Sequence, residues 1–377
     1  MRRSNLLFPL LMLAVGGCGI APSEPLSPDH SATIRVQWDA SVGDMSPLLQ
    51  PTVTRDGHIC TVSANGRVSY LNAETGEHAR LEINLPHERN DDYIAGAGCA
   101  EDYVAAVSGD GWLRVHHIVN GLAWQKDLKS RVFGKPLIAK GKLYILGLDG
   151  RLLAFTLRRG RELWRYVSPL ENLVRTPLDS SLVTDGSTIY GGIDNGAIIA
   201  LDQANGRVLW ENTVSLPSGN NEIANILDVT TPILFGNLAC ATAFQSGVAC
   251  FNSNSGERLW HYLLPSQRRA ALSSDGSQLF ATDADGIVYA FNSRNGELLW
   301  RQKTDNVLSA PVAVNGMVLV GDTGGSIYAY SADSGELVTL LGLSGSAIID
   351  LQRMPGSNEN ILALSLDGNL YHLHVQN

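Results

Sequence analysis

The sequence predicts an all-β chain closed into an eight-bladed β-propeller of four-stranded blades, and three observations carry that expectation. The first is a repeated phrase. Residues 198–210, IIALDQANGRVLW, read as a strand, a turn at Gly206 and a second strand reaching Trp210; the phrase returns as AFTLRRGRELW at 154–164, CFNSNSGERLW at 250–260 and AFNSRNGELLW at 290–300. In each copy apolar, β-favouring runs flank a turn whose glycine is free to take positive φ. Weaker copies lie at 70–80, 116–124 and 329–339. The second observation is the period: Gly76, Gly121, Gly160, Gly206, Gly256, Gly296 and Gly335 are spaced by about 43 residues on average, the range of a four-stranded propeller blade. The third is a mismatch at the two ends. Residues 33–39, TIRVQWD, carry Trp38 with no repeat in front of it, whereas 360–375 supply two strands about Asp367-Gly368 and stop where the turn and tryptophan strand are due. The N-terminal strand is therefore expected to complete the C-terminal blade and close the ring.

Taken from the start, residues 1–17 read as a leader. Arg2 and Arg3 precede a short apolar run at 6–15, too short to span a bilayer, and Val15-Gly16-Gly17-Cys18 follows. This resembles a bacterial lipoprotein signal, which implies that Cys18 is acylated and becomes the new N-terminus. Each buried methylene of such chains adds roughly 0.8 kcal/mol of membrane affinity, so several chains together anchor a domain without a transmembrane helix. Gly19 stands where retention in the inner membrane often calls for Asp, which points to the outer membrane. Residues 18–32, with Pro22, Pro25 and Pro28, read as the lipidated cysteine and an extended tether, and residues 33–377 as the propeller.

Seven glycine-marked blades plus the split one make eight. Tight hairpins are expected at Ala64-Asn65-Gly66, Asp110-Gly111, Asp149-Gly150, Asp194-Asn195-Gly196, Ser246-Gly247, Asp285-Gly286 and Gly324-Gly325, each with residues suited to positive φ. Longer connections at 81–92, 167–175 and 214–229 are where individual function is expected to sit. Trp124, Trp164, Trp210, Trp260 and Trp300 follow the turn glycines at near-constant spacing. They are expected to wedge between adjacent blades and lie over a turn, not to form a sugar-stacking row.

Composition excludes several functions. The formal net charge of −9 becomes more negative once Arg2 and Arg3 leave, which argues against nucleic acid as a partner and against general adhesion to anionic lipid. There is no GxSxG, HExxH or phosphate-cradling loop, and no catalytic residue is assigned. No metal is expected: His116 and His117 face opposite sides of a strand, and Asp283-Ala284-Asp285-Gly286 falls where a hairpin is due and lacks the later glutamate of a calcium loop. Arg158, Arg159, Arg161 and Arg165 read as a solvated basic edge. Cys60, Cys99, Cys240 and Cys250 form an even set without CxxC. Cys240 and Cys250 lie symmetrically about residues 245–247, so they are either a cross-strand disulfide or two buried thiols in neighbouring strands.

The leader, the eight repeats and the segment NEIANILDVTTPI at 221–233 together resemble the BamB (YfgL) family of outer-membrane β-barrel assembly lipoproteins. That resemblance implies a non-enzymatic scaffold without cofactor, held at the periplasmic face of the outer membrane. Its expected partners are the POTRA domains of BamA and the BAM complex, with transient contact to unfolded outer-membrane proteins. The matching contact positions are Leu173, Val174 and Arg175 on one connection and Asp228 on another; where family members often carry a second acid after Asp228-Val229, this chain has Thr230. The phrase ALDxxxGxxxW also resembles blades of pyrroloquinoline quinone (PQQ) dehydrogenases, which makes a quinone-dependent oxidoreductase, or another ligand-binding propeller, the alternative. Such enzymes need a carboxylate-rich calcium site, an aromatic over the cofactor, commonly a Cys-Cys pair and longer loops, and the sequence has no Cys-Cys and little length beyond eight blades.

Overall fold

The structure, a computed structural model, describes residues 32–79, 83–85, 93–168, 179–193, 195–214, 228–244, 246–264, 270–272, 276–343 and 345–377. They form eight antiparallel four-stranded sheets arranged as blades of a ring. Seven blades are simple meanders from the innermost to the outermost strand; blade 1, for example, runs Thr52–Val53, His58–Val62, Arg67–Asn72 and Ile83–Asn84. Blade 8 is built from both ends of the propeller. Its inner strands are Ile348–Arg353, Asn360–Ser365 and Asn369–Gln376, and its outermost strand is Thr33–Ser41, paired from Thr33↔Gln376 to Ser41↔Asn369.

Burial follows from stacking blade on blade. The second and third strands are covered on both faces: Leu238–Ala243 is buried at every position and Gly247–Asn252 at all but the last. Outermost strands are half solvated, as in the alternating pattern of Leu298–Lys303. The core is therefore a set of layers between neighbouring blades. One such layer joins Ala105, Val107, Leu113 and Val115 of blade 2 to Leu143, Ile145, Leu153 and Phe155 of blade 3.

The tryptophans close these seams in a way the repeat only half announces. Each indole lies over the turn glycine of the next blade, not of its own. Trp38 covers Gly76, Trp124 covers Gly160, Trp164 covers Gly206, Trp210 covers Gly256, Trp260 covers Gly296 and Trp300 covers Gly335. Each ring nitrogen donates to a backbone carbonyl of that neighbour, as from Trp210 to Ser253 at 2.8 Å and from Trp260 to Ser293 at 2.7 Å. Glycine is required twice over at such a turn. At Gly206 φ is +75° and an added Cβ would lie 2.5 Å from the Trp164 ring. Before each tryptophan the outermost strand also carries one extra residue, so that Ala200 faces Trp210 while Leu201 faces Val208 and Leu209 bulges outward. The same shift recurs in blades 2, 3, 5, 6 and 7. Such bulges twist an exposed edge away from further pairing.

Two seams lack the indole. In blade 1 the tryptophan position is Arg80 and in blade 7 it is Thr339. Between blades 1 and 2 no described atom lies within 4 Å of a Cβ added at Gly121, and the seam is crossed by a disulfide from Cys60 to Cys99, with Cα atoms 6.3 Å apart. The second disulfide, Cys240–Cys250, stays within blade 5, where the two residues face each other across neighbouring strands. Constraint of the unfolded chain grows with loop length, so the 39-residue loop gains about 1 kcal/mol more than the 10-residue one. Replacing Cys60 and Cys99 by serine should therefore cost about 2–4 kcal/mol in a denaturant titration, and more than the same change at Cys240 and Cys250. Equal losses would mean that the interblade bond adds nothing at its seam.

Candidate interaction face

Hairpin order gives the disc two chemically different faces. On the upper face lie the turns between second and third strands, together with the connections from blade to blade. The two sets are joined by a recurring backbone bond: Leu85, Leu128, Ser168, Val214, Thr304 and Leu343 donate N–H to the carbonyls of Gly66, Gly111, Gly150, Gly196, Gly286 and Gly325, the glycines of the turns between second and third strands. The lower face holds the remaining turns and both ends of the propeller.

Of the residues singled out for partner contact, Asp228 is described, on the upper face where its connection enters blade 5. Leu173, Val174 and Arg175 lie outside the described residues, as does Cys18. The ends of their connection are described: Ser168 N donates to Gly150 O at 3.0 Å, and Asp179 O accepts from Thr231 N at 2.8 Å. The second connection enters blade 5 through Asp228, which is only 6% exposed, with its carbonyl accepting from Phe244 N at 2.9 Å. Thr230, at the position of the second acid, is buried, its hydroxyl 2.8 Å from that of Thr242. Thr231 Oγ1 accepts from Ser181 N at 2.8 Å. The described ends of the two connections therefore lie side by side, tied by the Asp179–Thr231 bond. Sequence spacing gave no sign of the burial of Asp228, because it does not show that the segment after it zips onto blade 5.

Down the axis the innermost strands enclose a cavity of about 590 Å³. Its wall is mostly aliphatic, with Leu137, Leu182, Val183, Ile233 and Val312, and carries a few polar side chains. Lys135 Nζ and Gln352 Nε2 both donate to Pro51 O at 2.9 Å, and Gln352 also reaches Asp350. Among the described residues Asp179 is the one carboxylate on this wall and Phe235 the one aromatic, and Asp179 Oδ1 already accepts from Ser181 N and Oγ. That donor set does not fit a calcium-bound quinone. No group of three His, Cys, Asp or Glu side chains among the described residues is placed to hold a metal ion.

The Asp283-Ala284-Asp285-Gly286 run is consumed by its own turn. Asp283 Oδ1 accepts from the backbone of Asp285 and Ile287, and Oδ2 accepts from Tyr289 Oη at 2.8 Å. Burial, then the bond to Asp283, pushes the Tyr289 hydroxyl well above its ordinary pKa, so it stays a donor. His117 Nδ1 accepts from the Val119 and Asn120 backbone. Burial first, and the charge of Arg114 second, lowers the pKa of His116, which keeps that ring neutral. These polar groups build turns and seams; none is arranged as a nucleophile with its base.

Comparison with known proteins places this geometry. The family model described as outer membrane protein assembly factor BamB matches residues 31–302, 264–339 and 284–373. Similar relatives include the outer membrane protein assembly factor BamB of Burkholderia pseudomallei, 28% identical over 340 residues that cover 89% of this chain and 86% of that protein. The protein of the same name from Bordetella pertussis is 26% identical over 354 residues, covering 90% and 89%. Among solved structures, BamB from Moraxella catarrhalis superposes with a TM-score of 0.79 at 21% identity, over 91% of this chain and all of that one. A quinohemoprotein alcohol dehydrogenase from Pseudomonas putida superposes with a TM-score of 0.71 at 13% identity, over 91% of this chain and 76% of that one, a likeness of fold.

Proposed function

The chain belongs to the family of the outer membrane protein assembly factor BamB, and on that premise we propose that it is a non-enzymatic scaffold lipoprotein of the outer-membrane β-barrel assembly (BAM) complex. In this reading it binds the POTRA domains of BamA, helps outer-membrane proteins fold and insert, and meets unfolded substrate transiently. Acylated Cys18 holds it at the periplasmic face of the outer membrane. The observation that carries the proposal is the family match across nearly the whole propeller, from residue 31 to residue 373.

The upper face of blades 3–5 supports a contact there. Leu173 and Val174 would bury against an apolar patch of a POTRA domain, and Arg175 would form charge-assisted bonds with its polar groups. Asp228, being buried, is suited to orient a cation of its own face, Arg175 first, and less to reach across an interface. A preorganised arginine loses less entropy on binding.

The test is affinity purification of the tagged full-length protein from detergent-solubilised envelope, beside Arg175→Glu, with thermal unfolding of both. Recovery of BamA with the native chain, and at least a tenfold loss with an equally stable variant, is the expected result; tenfold corresponds to about 1.4 kcal/mol, ordinary for one interfacial arginine. Full recovery with the variant would move the contact elsewhere on the disc. Absence of BamA from both would overturn the scaffold reading.

A further inference from the structure

The lower face of blades 3 and 4 gathers cations from three separate turns. Lys140 and Lys142 flank the first turn of blade 3, Arg158, Arg159 and Arg161 form its last turn, and Arg207 occupies the equivalent turn of blade 4. Hydrogen bonds between the turns hold them together: Leu157 N donates to Gly141 O at 2.9 Å, and the side chains of Lys142 and Lys140 donate from Nζ to Gln203 O at 3.4 Å and to Gly186 O. The four arginines are exposed.

Neighbouring carboxylates are already engaged. Asp185 accepts from the backbone of Ser187 and Thr188 at 2.8 Å each and from Tyr190 Oη at 3.0 Å. Both oxygens of Glu101 accept from Gly141 N at 3.0 Å, and Glu162 pairs with Arg165 and Lys126. Hydrogen bonding leaves Asp185, Glu101 and the turn's own Asp202 anionic, but the six cations outnumber them, so among the described residues this quadrant stays net basic in a chain of net charge −9.

An independent observation says what this face looks toward. Thr33 pairs with Gln376, and Val375 N donates to Glu359 O, so the outermost strand of blade 8 begins at the lower face. The residues that join it to Cys18, 18–31, span at most about 50 Å. An anchor at Cys18 therefore tethers the disc from its lower side.

We propose that the lower face of blades 3 and 4 docks on the anionic phospholipid headgroups of the membrane that holds the anchor, which fixes the upper face away from the bilayer. The proposal rests on the lipid-anchor part of the function proposed above. Unaided, such a patch acts only within about 8 Å at physiological ionic strength, but the tether keeps it at high effective concentration. Phosphate groups suit arginine because its planar fork donates two parallel bonds.

The experiment uses the full-length lipidated protein in vesicles of phosphatidylcholine alone or of equal phosphatidylcholine and phosphatidylglycerol. Phenylglyoxal modification of each arginine is read by mass spectrometry, with Arg131 of the upper face as reference. Arg158, Arg159 and Arg161 should be protected at least about fivefold in the anionic vesicles, a factor that one cation near a charged surface supplies. Protection should vanish in phosphatidylcholine and at about 0.5 M salt, where screening is strong. Equal reactivity in both vesicles, or equal protection in both, would overturn the docking. Protection that appears only when other subunits of the assembly machine are added would assign the patch to an acidic protein and overturn it too. If the protein does not float with either vesicle, the anchor itself is wrong, a failure distinct from the others.

Discussion

Deletion of Thr33–Ser41 is expected to remove most of the stability of the ring, lowering the midpoint of guanidinium unfolding drastically or abolishing a single cooperative transition. The strand pairs with Asn369–Gln376 from end to end, interrupted by one bulge between Val36 and Trp38, and carries Trp38, whose indole covers Gly76 and whose ring nitrogen donates to Ala73 O at 3.2 Å. Without it, blade 8 keeps three strands, an open edge and no lock on blade 1. The layer formed by Val42, Ile59, Leu71, Leu362, Leu364 and Leu370 then faces water on one side. A domain holds only about 5–15 kcal/mol in total, so losing one closure of this size is comparable to the whole. Supplying the nine-residue peptide in trans should restore part of the transition. An unchanged midpoint would mean that the ring does not depend on its split blade.

Trp260→Ala should cost about 3–5 kcal/mol, the usual loss for deleting a large buried aromatic. Trp260 is 8% exposed, packs near Phe291 and lies so close to Gly296 that a Cβ there would sit 2.6 Å from the indole. Trp260→Phe keeps most of the apolar area but drops the bond to Ser293 O, and should cost clearly less. Trp112→Ala is the control, because Trp112 covers no turn glycine; its loss should stay near 1 kcal/mol. Chemical denaturation of the three variants measures all of this. Equal effects at Trp112 and Trp260 would show that indole burial alone, and not the lock across the seam, sets the cost.

Much of the architecture was legible because it repeats. A glycine turn every 43 residues or so leaves room for four short strands, and the orphan Trp38 had to find a blade without an outer strand. Cys240 and Cys250 were legible as facing residues because a single hairpin relates them. Cys60 and Cys99 were not, because 39 residues separate them and only the curvature of the ring brings one blade's second strand against the next blade's first. Nor did the spacing reveal that Leu209 or Leu259 is an extra residue of a bulge, since a leucine before a tryptophan reads equally well as ordinary alternation. The Arg158–Arg161 turn looked like a solvated edge in isolation. Lys140, Lys142 and Arg207 join it only through hydrogen bonds between turns that are far apart in the chain.

The split blade also sets an order of events. Thr33–Ser41 is the first strand of the propeller to be synthesised, and the strand it needs, Asn369–Gln376, is the last. Blades 1 to 7 are each assembled from contiguous chain and are able to form as they emerge, but the circle stays open until the final residues arrive. Throughout that interval a nine-residue strand waits without its hydrogen-bonding partner, and the pairing that ends the wait joins the most distant parts of the fold, the kind of contact that slows folding most. A chain cut short near its C-terminus would thus lose not only its last strands but the place reserved for its first.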